Sequence, residues 1–311
     1  MSEILLTELI EGPAVDRLGD QFQVVCLPDI WRDPIGLRTE MQDARAVIVR
    51  NQTQLTKELI ESSKRLEVIG RAGAGLDNID TVAAEQLGIA VCNTPAENSL
   101  AVAELVMGLM LTMARELPAA ISTTRAGGWE RMRFNGVELY GKTLGLVGFG
   151  RIGQLVARRA AAFGMKIVAH DQYLPKDASV LQELDVSLLG FHELLEVANV
   201  VSCHVPLTAE TQGMFNAVAF AKMQQGSWFI NAARGEVVCE QALIASLVSA
   251  KISAAALDVR EVEPPMDAHS AGLASMENVY LTPHIGAFTI ESQTRVLEKV
   301  CSDVACVLER K

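Results

Sequence analysis

The chain has 311 residues, half of them hydrophobic and 5% aromatic, with a formal net charge of −11. That length suits two domains of ordinary size, each able to bury its own core. The acidic balance argues against nucleic acid or an anionic membrane surface as the main partner, while a few local arginines suffice to hold a small anion.

The N-terminal stretch MSEILLTELIEG carries Glu3, Glu8 and Glu11 and no basic segment, so no secretory signal is expected. No apolar run reaches bilayer-spanning length; even Ala101–Ala114 is interrupted by Glu104. The six cysteines are scattered without a CxxC pair, which suits reduced, buried thiols and a cytoplasmic protein.

Short apolar runs open the chain at Ile4–Leu6, Gln23–Cys26, Ala46–Val49, Leu66–Ile69 and Ile89–Cys92. Helical-looking segments such as Leu55–Lys64 and Thr81–Leu87 separate them, and this alternation predicts a mostly parallel sheet. Ser99–Glu116 reads as a helix apolar nearly all round, which must be buried between domains or against a partner chain. Gly127-Gly128-Trp129 breaks the pattern. After Gly141 the rhythm resumes at Leu144–Val147, Lys166–Ala169, Val200–Val205, Ser227–Asn231, Ala254–Val259 and Val279–Leu281, and an amphipathic helix over Glu291–Arg310 closes the chain.

The segment Leu144–Asp171 carries the clearest chemistry. A strand leads into Gly148-Phe149-Gly150-Arg151-Ile152-Gly153, then a helix and a second strand. Gly148 permits the tight turn, Gly150 lets the backbone approach a pyrophosphate, and Gly153 allows close helix–strand packing. The helix N-terminus offers N–H groups and partial positive charge to phosphates. Asp171 follows Gly153 by 18 residues. An acid there accepts from adenosine ribose hydroxyls and repels a 2′-phosphate, favouring NAD over NADP. The bland alternative is a structural glycine turn with Asp171 as a solvated strand end.

Arg234, Glu263 and His284 each follow a predicted strand, where ligands of open α/β sheets bind. An arginine can pair with a carboxylate, an imidazole can take a hydroxyl proton as hydride leaves, and a carboxylate can orient that imidazole. Read alone, Arg234 could equally bridge to a surface acid, Glu263 could be solvated beside Glu261, and His284 could be a satisfied core histidine. His204 is structural or near a cofactor, and His170, His192 and His269 read as structural. No metal-ligand spacing and no nucleophile motif stands out, so no metal is expected.

Six segments, in order, resemble the D-isomer-specific 2-hydroxyacid dehydrogenase family: GRAGAGLDNID (Gly70–Asp80), NTPAENSLAVAE (Asn93–Glu104), GLVGFGRIG (Gly145–Gly153), NAARGEVV (Asn231–Val238), ALDVREVEPP (Ala256–Pro265) and TPHIGAFT (Thr282–Thr289). The phrase GGWERMRFNGVELYGKTLGLVGFGRIG is most similar to the phosphoglycerate dehydrogenase branch. The resemblance implies two doubly wound parallel-sheet domains, a Rossmann NAD-binding domain (98–284) inserted in a flavodoxin-like substrate domain (1–97 and 285–311). It implies NAD as cofactor and a homodimer joined through the cofactor domain. It makes His284 the general acid/base, Glu263 its orienting partner and Arg234 the carboxylate anchor.

The same resemblance places Gly148, Gly150, Arg151, Ile152, Gly153, Asp171, Thr208, Ala232, Asp258 and Gly286 near the cofactor. It puts main-chain N–H groups around Ala72 and Gly73 on the substrate carboxylate, and Arg50 and Arg71 on a substrate phosphate. Arg131 and Arg133 are either further cations or a solvated helix face. The expected substrate is 3-phosphoglycerate or its keto acid; hydroxypyruvate, glyoxylate and sulfolactate are alternatives, and an NAD(H)-sensing corepressor-like protein is a second one. Departures from the branch fall at Gln52, Ala74, Phe288 and Arg260; the last replaces an aromatic and adds a charge near Glu263. The chain also ends soon after its last core helix, so a regulatory domain and serine inhibition are not expected.

Overall fold

The computed structural model describes residues 3–265 and 272–310; His269 lies outside them. The chain forms two compact units, Met1–Ser99 with Ala287–Lys311, and Leu100–Gly286. The crossings fall two residues beyond 97 and 284; at the second, Ile285 and Gly286 donate their N–H groups to the buried Asp258 carboxylate of the second unit.

Among the described residues of the first unit, five parallel strands pair in the order β2-β1-β3-β4-β5. They are β1 (Ile4–Leu6), β2 (Val24–Cys26), β3 (Ala46–Val49), β4 (Val68–Arg71) and β5 (Ala90–Asn93). This is the flavodoxin-like order. Alternate side chains point to opposite faces of a strand. Ile4, Leu6, Ile48 and Val68 therefore meet Val296, Val300 and Val304 of the C-terminal helix Ile290–Glu309. Leu5, Val47, Val49 and Ile69 meet Leu37, Met41 and Ile60 on the other face. The C-terminal helix packs so closely on β4 that a Cβ at Gly70 would come within 2.8 Å of Val304.

Among the described residues of the second unit, seven parallel strands pair in the order β12-β11-β10-β9-β6-β7-β8. They are β6 (Thr143–Val147), β7 (Lys166–His170), β8 (Val186–Leu188), β9 (Val200–Cys203), β10 (Ser227–Asn231), β11 (Ile252–Leu257) and β12 (Val279–Leu281). Counted within the unit this is 3-2-1-4-5-6-7, a Rossmann sheet with one added edge strand, and its order reverses between β6 and β9. Leu144, Leu146, Ile167 and Ile230 pack on one face; Val147, Val201, Phe229 and Leu257 pack on the other, against Leu194, Phe215 and Phe220.

The helix Ser99–Arg115 is buried against its own unit, with Val106, Met110 and Met113 in the core beside Leu144 and Leu146. Its apolar girdle is incomplete. Leu100, Glu104 and Gly108 form an exposed row at four-residue spacing, one face of a 3.6-residue helix. No described helix is long and apolar enough to cross a membrane.

Candidate active site

Three loops at the carboxyl ends of β10, β11 and β12 carry the candidate residues. The loop after β12 is shaped by Asp258, which is buried at 1% exposure. Its carboxylate accepts from Thr282 Oγ1 (2.6 Å) and from the N–H groups of Ile285 and Gly286 (both 2.8 Å). Its carbonyl accepts from the His284 N–H at 2.8 Å. His284 adopts φ +56°, a left-handed conformation uncommon for a side-chain-bearing residue. The surrounding hydrogen bonds over-determine that backbone, as persistent strain at a functional residue requires. Asp258, expected near the cofactor, also forms the scaffold under His284.

The imidazole Nδ1 of His284 meets Glu263 Oε2 at 2.7 Å, and both side chains are about a third exposed or less. The other oxygen of Glu263 accepts the Arg260 N–H at 2.9 Å. Burial pushes the Glu263 carboxyl up. The His284 hydrogen bond and charge, the Arg260 N–H and the Arg234 guanidinium together outweigh it and leave the group below the ordinary carboxylate range. An ionised Glu263 holds Nδ1, leaving Nε2 as the nitrogen available to a substrate oxygen.

Arg234 follows β10 in a turn braced by buried Asn231. The Asn231 side chain accepts from Ala233 N–H at 3.0 Å and donates to Arg234 O at 2.8 Å. Arg234 Nη1 donates to Ala233 O at 2.7 Å, and its charge is felt at Glu263. Gly235 next to it touches the main chain of the β11 loop: a Cβ there would lie 1.8 Å from Arg260 O. Arg260 itself does not face the dyad as an unpaired charge. Its guanidinium grips Glu240 through two bonds of 2.8 Å in a buried ion pair. The partner Glu240, like Asn231, carried no signal in a single sequence, because a carboxylate at a helix start usually only complements the helix dipole.

The glycine-rich turn has the shape that a dinucleotide needs. Gly148 has φ +94°, and a Cβ there would strike the His204 main chain at 2.7 Å. At Gly153 a Cβ would strike Gly148 O at 2.4 Å, whereas at Gly150 it would meet nothing within 4 Å. That open space lies at the N-terminus of helix Arg151–Ala162, where no side chain caps the N–H groups. A pyrophosphate fits such a cradle, with Arg151 exposed and Ile152 half-buried beside it. Asp171 is held by the N–H groups of Phe149 and Tyr173, both 2.9 Å away. Thr208 closes a turn with Thr211, and Ala232 is half-buried at the end of β10.

In the first unit the expected carboxylate cradle is differently used. Ala72 N–H donates to Val49 O and Gly73 N–H to Arg71 O, both at 2.8 Å, so the chain's own carbonyls take these donors. Arg71 lies folded over Gly73, with Nη1 on Ala72 O at 2.9 Å. Arg50 donates Nε to Leu9 O and packs 5.5 Å from the centre of the Phe288 ring, a cation–π contact. The loop behind it is tied to buried Glu8, which accepts from the N–H groups of Arg50 (2.9 Å) and Thr53 (3.0 Å). Gln52 is exposed. Arg131 and Arg133 are exposed as well, and Arg133 pairs with Glu130.

A Rossmann sheet with a fitted glycine turn, and a His–Glu pair beside an arginine at its strand ends, define a nucleotide-dependent protein equipped for proton transfer. The NAD binding domain of the D-isomer specific 2-hydroxyacid dehydrogenases matches residues 107–286, and the chain belongs to that family. It is 42% identical over 309 residues to a D-3-phosphoglycerate dehydrogenase of Methanocaldococcus jannaschii, covering 99% of this chain and 58% of that protein. It is 48% identical over 250 residues to a hydroxypyruvate reductase of Thermotoga maritima, covering 80% of each. A crystal structure of a D-lactate dehydrogenase from Aquifex aeolicus with NAD and lactic acid superposes with a TM-score of 0.89 at 29% identity, over 99% of this chain and 96% of that one. The chain spans roughly half the length of several phosphoglycerate dehydrogenases it matches, from 48% to 58%.

Proposed function

We propose that the protein interconverts a (R)-2-hydroxy acid and its 2-keto acid with NAD, with 3-phosphoglycerate and 3-phosphohydroxypyruvate as the preferred pair. The observation that carries this reading is the 2.7 Å contact of His284 Nδ1 with an ionised Glu263, next to Arg234. NAD, when bound, supplies the hydride acceptor. Arg234 anchors the substrate carboxylate by a charge-assisted pair. His284 Nε2 takes the hydroxyl proton during oxidation and returns it to the carbonyl oxygen during reduction. Glu263 keeps the ring in the tautomer and orientation that this requires. Arg50 and Arg71 are the candidate phosphate cations, and the likeness to phosphoglycerate dehydrogenases favours a phosphorylated substrate.

A homodimer joined through the second unit is part of this reading. Trp129, Met132 and Tyr140 are 78%, 91% and 78% exposed in the segment that follows helix Leu117–Arg125, and large apolar groups left in water favour a partner surface. A cytoplasmic location suits the six free cysteines.

The test is NADH oxidation with 3-phosphohydroxypyruvate, hydroxypyruvate, glyoxylate and sulfopyruvate at equal concentrations, alongside His284→Ala. The expected winner is the phosphorylated acid, with His284→Ala slower by a factor on the order of 10²–10⁴ and NADH affinity retained. A preference for hydroxypyruvate would move the reading to the reductase that the Thermotoga relative is named for. Binding of NADH without turnover on any keto acid would favour a nucleotide-sensing role.

A further inference from the structure

We propose that the buried Arg260–Glu240 ion pair is a positioning clamp for the acid/base dyad; this rests on the dyad assignment above. Arg260 is 8% exposed and Glu240 is 9% exposed. Arg260 Nε and Nη2 each reach a different oxygen of Glu240 at 2.8 Å, the two-pronged geometry that fixes orientation as well as distance. Glu240 Oε1 also accepts the Glu261 N–H at 2.9 Å. One carboxylate at the start of helix Glu240–Val248 thereby ties down two successive residues of the β11 loop.

The same loop residue connects to the dyad. The Arg260 main-chain N–H donates to Glu263 Oε1, while Glu263 Oε2 holds His284 Nδ1. The Arg260–Glu261 peptide also rests against Gly235, the residue after Arg234, at a distance that excludes any side chain. The clamp therefore fixes the peptide from which Glu263 is hung and against which the Arg234 turn is stacked. Arginine at 260 departs from the aromatic expected there, and its ion pair holds the loop. A lysine could not replace it, since a point charge makes one of these two bonds and loses the planar fork. Glu240 and Arg260 are positioning residues and touch no substrate.

The test is the pH dependence of kcat and kcat/KM for NADH-dependent keto-acid reduction by wild type, Glu240→Gln, Arg260→Lys and the double variant Glu240→Leu/Arg260→Met. The double variant removes both charges of the pair together, so it keeps the fold testable if a single variant is lost. Two further readouts are NADH affinity and the downfield NMR proton signal of His284 Nδ1–H, assigned by its loss in His284→Ala. The clamp predicts a 10- to 100-fold fall in kcat, a raised keto-acid KM as the Arg234 turn loosens, near-constant NADH affinity, and an acid limb moved to higher pH as Glu263 loses its held N–H. It also predicts weakening of the downfield signal in all three variants. Variants with wild-type kcat, acid limb and NMR signal would overturn it. Absence of turnover in wild type, with the signal still lost in the variants, would leave the clamp standing and reject the dehydrogenase reading instead.

Discussion

His204 and His284 both follow strands of the second sheet, yet their surroundings give them different work. His284 is a third exposed and bonded to a carboxylate. His204 is half-buried as a residue, but its Nδ1 is fully shielded and meets no partner, while Nε2 pairs with Ser202 Oγ at 2.9 Å. Burial without an anion pulls the His204 imidazole down from 6.5 to about 4. Its folded value lies below its unfolded one, so the neutral ring contributes full stability above pH 6.5. That contribution is lost progressively as pH falls, and is gone below about pH 4. The loss should be on the order of 2 kcal/mol, discounted for the partial exposure of the ring. Urea unfolding of wild type and His204→Gln at pH values from 7.5 to 4 should show stability curves that converge toward low pH. Curves that stay parallel would show that His204 does not set this slope. The chain places this histidine directly after β9 with its carbonyl against Gly148, so acid should loosen the turn that cradles the pyrophosphate.

At the scale of elements, the glycine turn separates two demands that the motif's spacing alone merges. Gly153 is required by packing, since its missing side chain makes room for Gly148 O; Gly150 has open space and an ordinary φ of −74°. Gly150→Ala should therefore fold with a melting temperature within about 2 °C of wild type but weaken NADH binding by tenfold or more. Gly153→Ala should cost roughly 1–3 kcal/mol of stability as well. Calorimetry with an NADH titration distinguishes the two, and equal destabilisation by both would contradict the assigned roles. Strands such as Ile4–Leu6 and Ala46–Val49 were legible because parallel strands buried on both faces read as unbroken apolar runs. Val186–Leu188 was not: an edge strand of three residues with an exposed Ser187 has no such run. Arg234, Glu263 and His284 stood out in the sequence as strand-end residues within motifs, and the structure brings Glu263 and His284 into contact. The Arg260–Glu240 pair was not legible, because a contact across 20 residues of chain leaves no local pattern.

At the scale of the whole chain, the charge of −11 makes local cations decisive for an anionic substrate. Within the first unit, the place of Arg50 depends on Glu8 behind its backbone and on the Phe288 ring. Burial lowers the Arg50 guanidinium from its usual value, with Glu8 opposing, and an arginine remains charged at neutral pH throughout. A partly desolvated cation gives up less hydration on meeting a phosphate, so its hydrogen bonds count for more than those of an exposed lysine. A charge-assisted bond worth about 1.5–3 kcal/mol corresponds to roughly a 10- to 150-fold change in affinity. Arg50→Ala should therefore raise the KM for 3-phosphohydroxypyruvate by that factor, the KM for hydroxypyruvate by less than threefold, and leave NADH affinity unchanged. Phe288→Ser, which frees Arg50 from the ring and widens its range of positions, should shift the same ratio in the same direction by a smaller amount. If both keto acids suffer equally, Arg50 reads the carboxylate common to them, and the preference for a phosphorylated substrate must come from elsewhere in the chain.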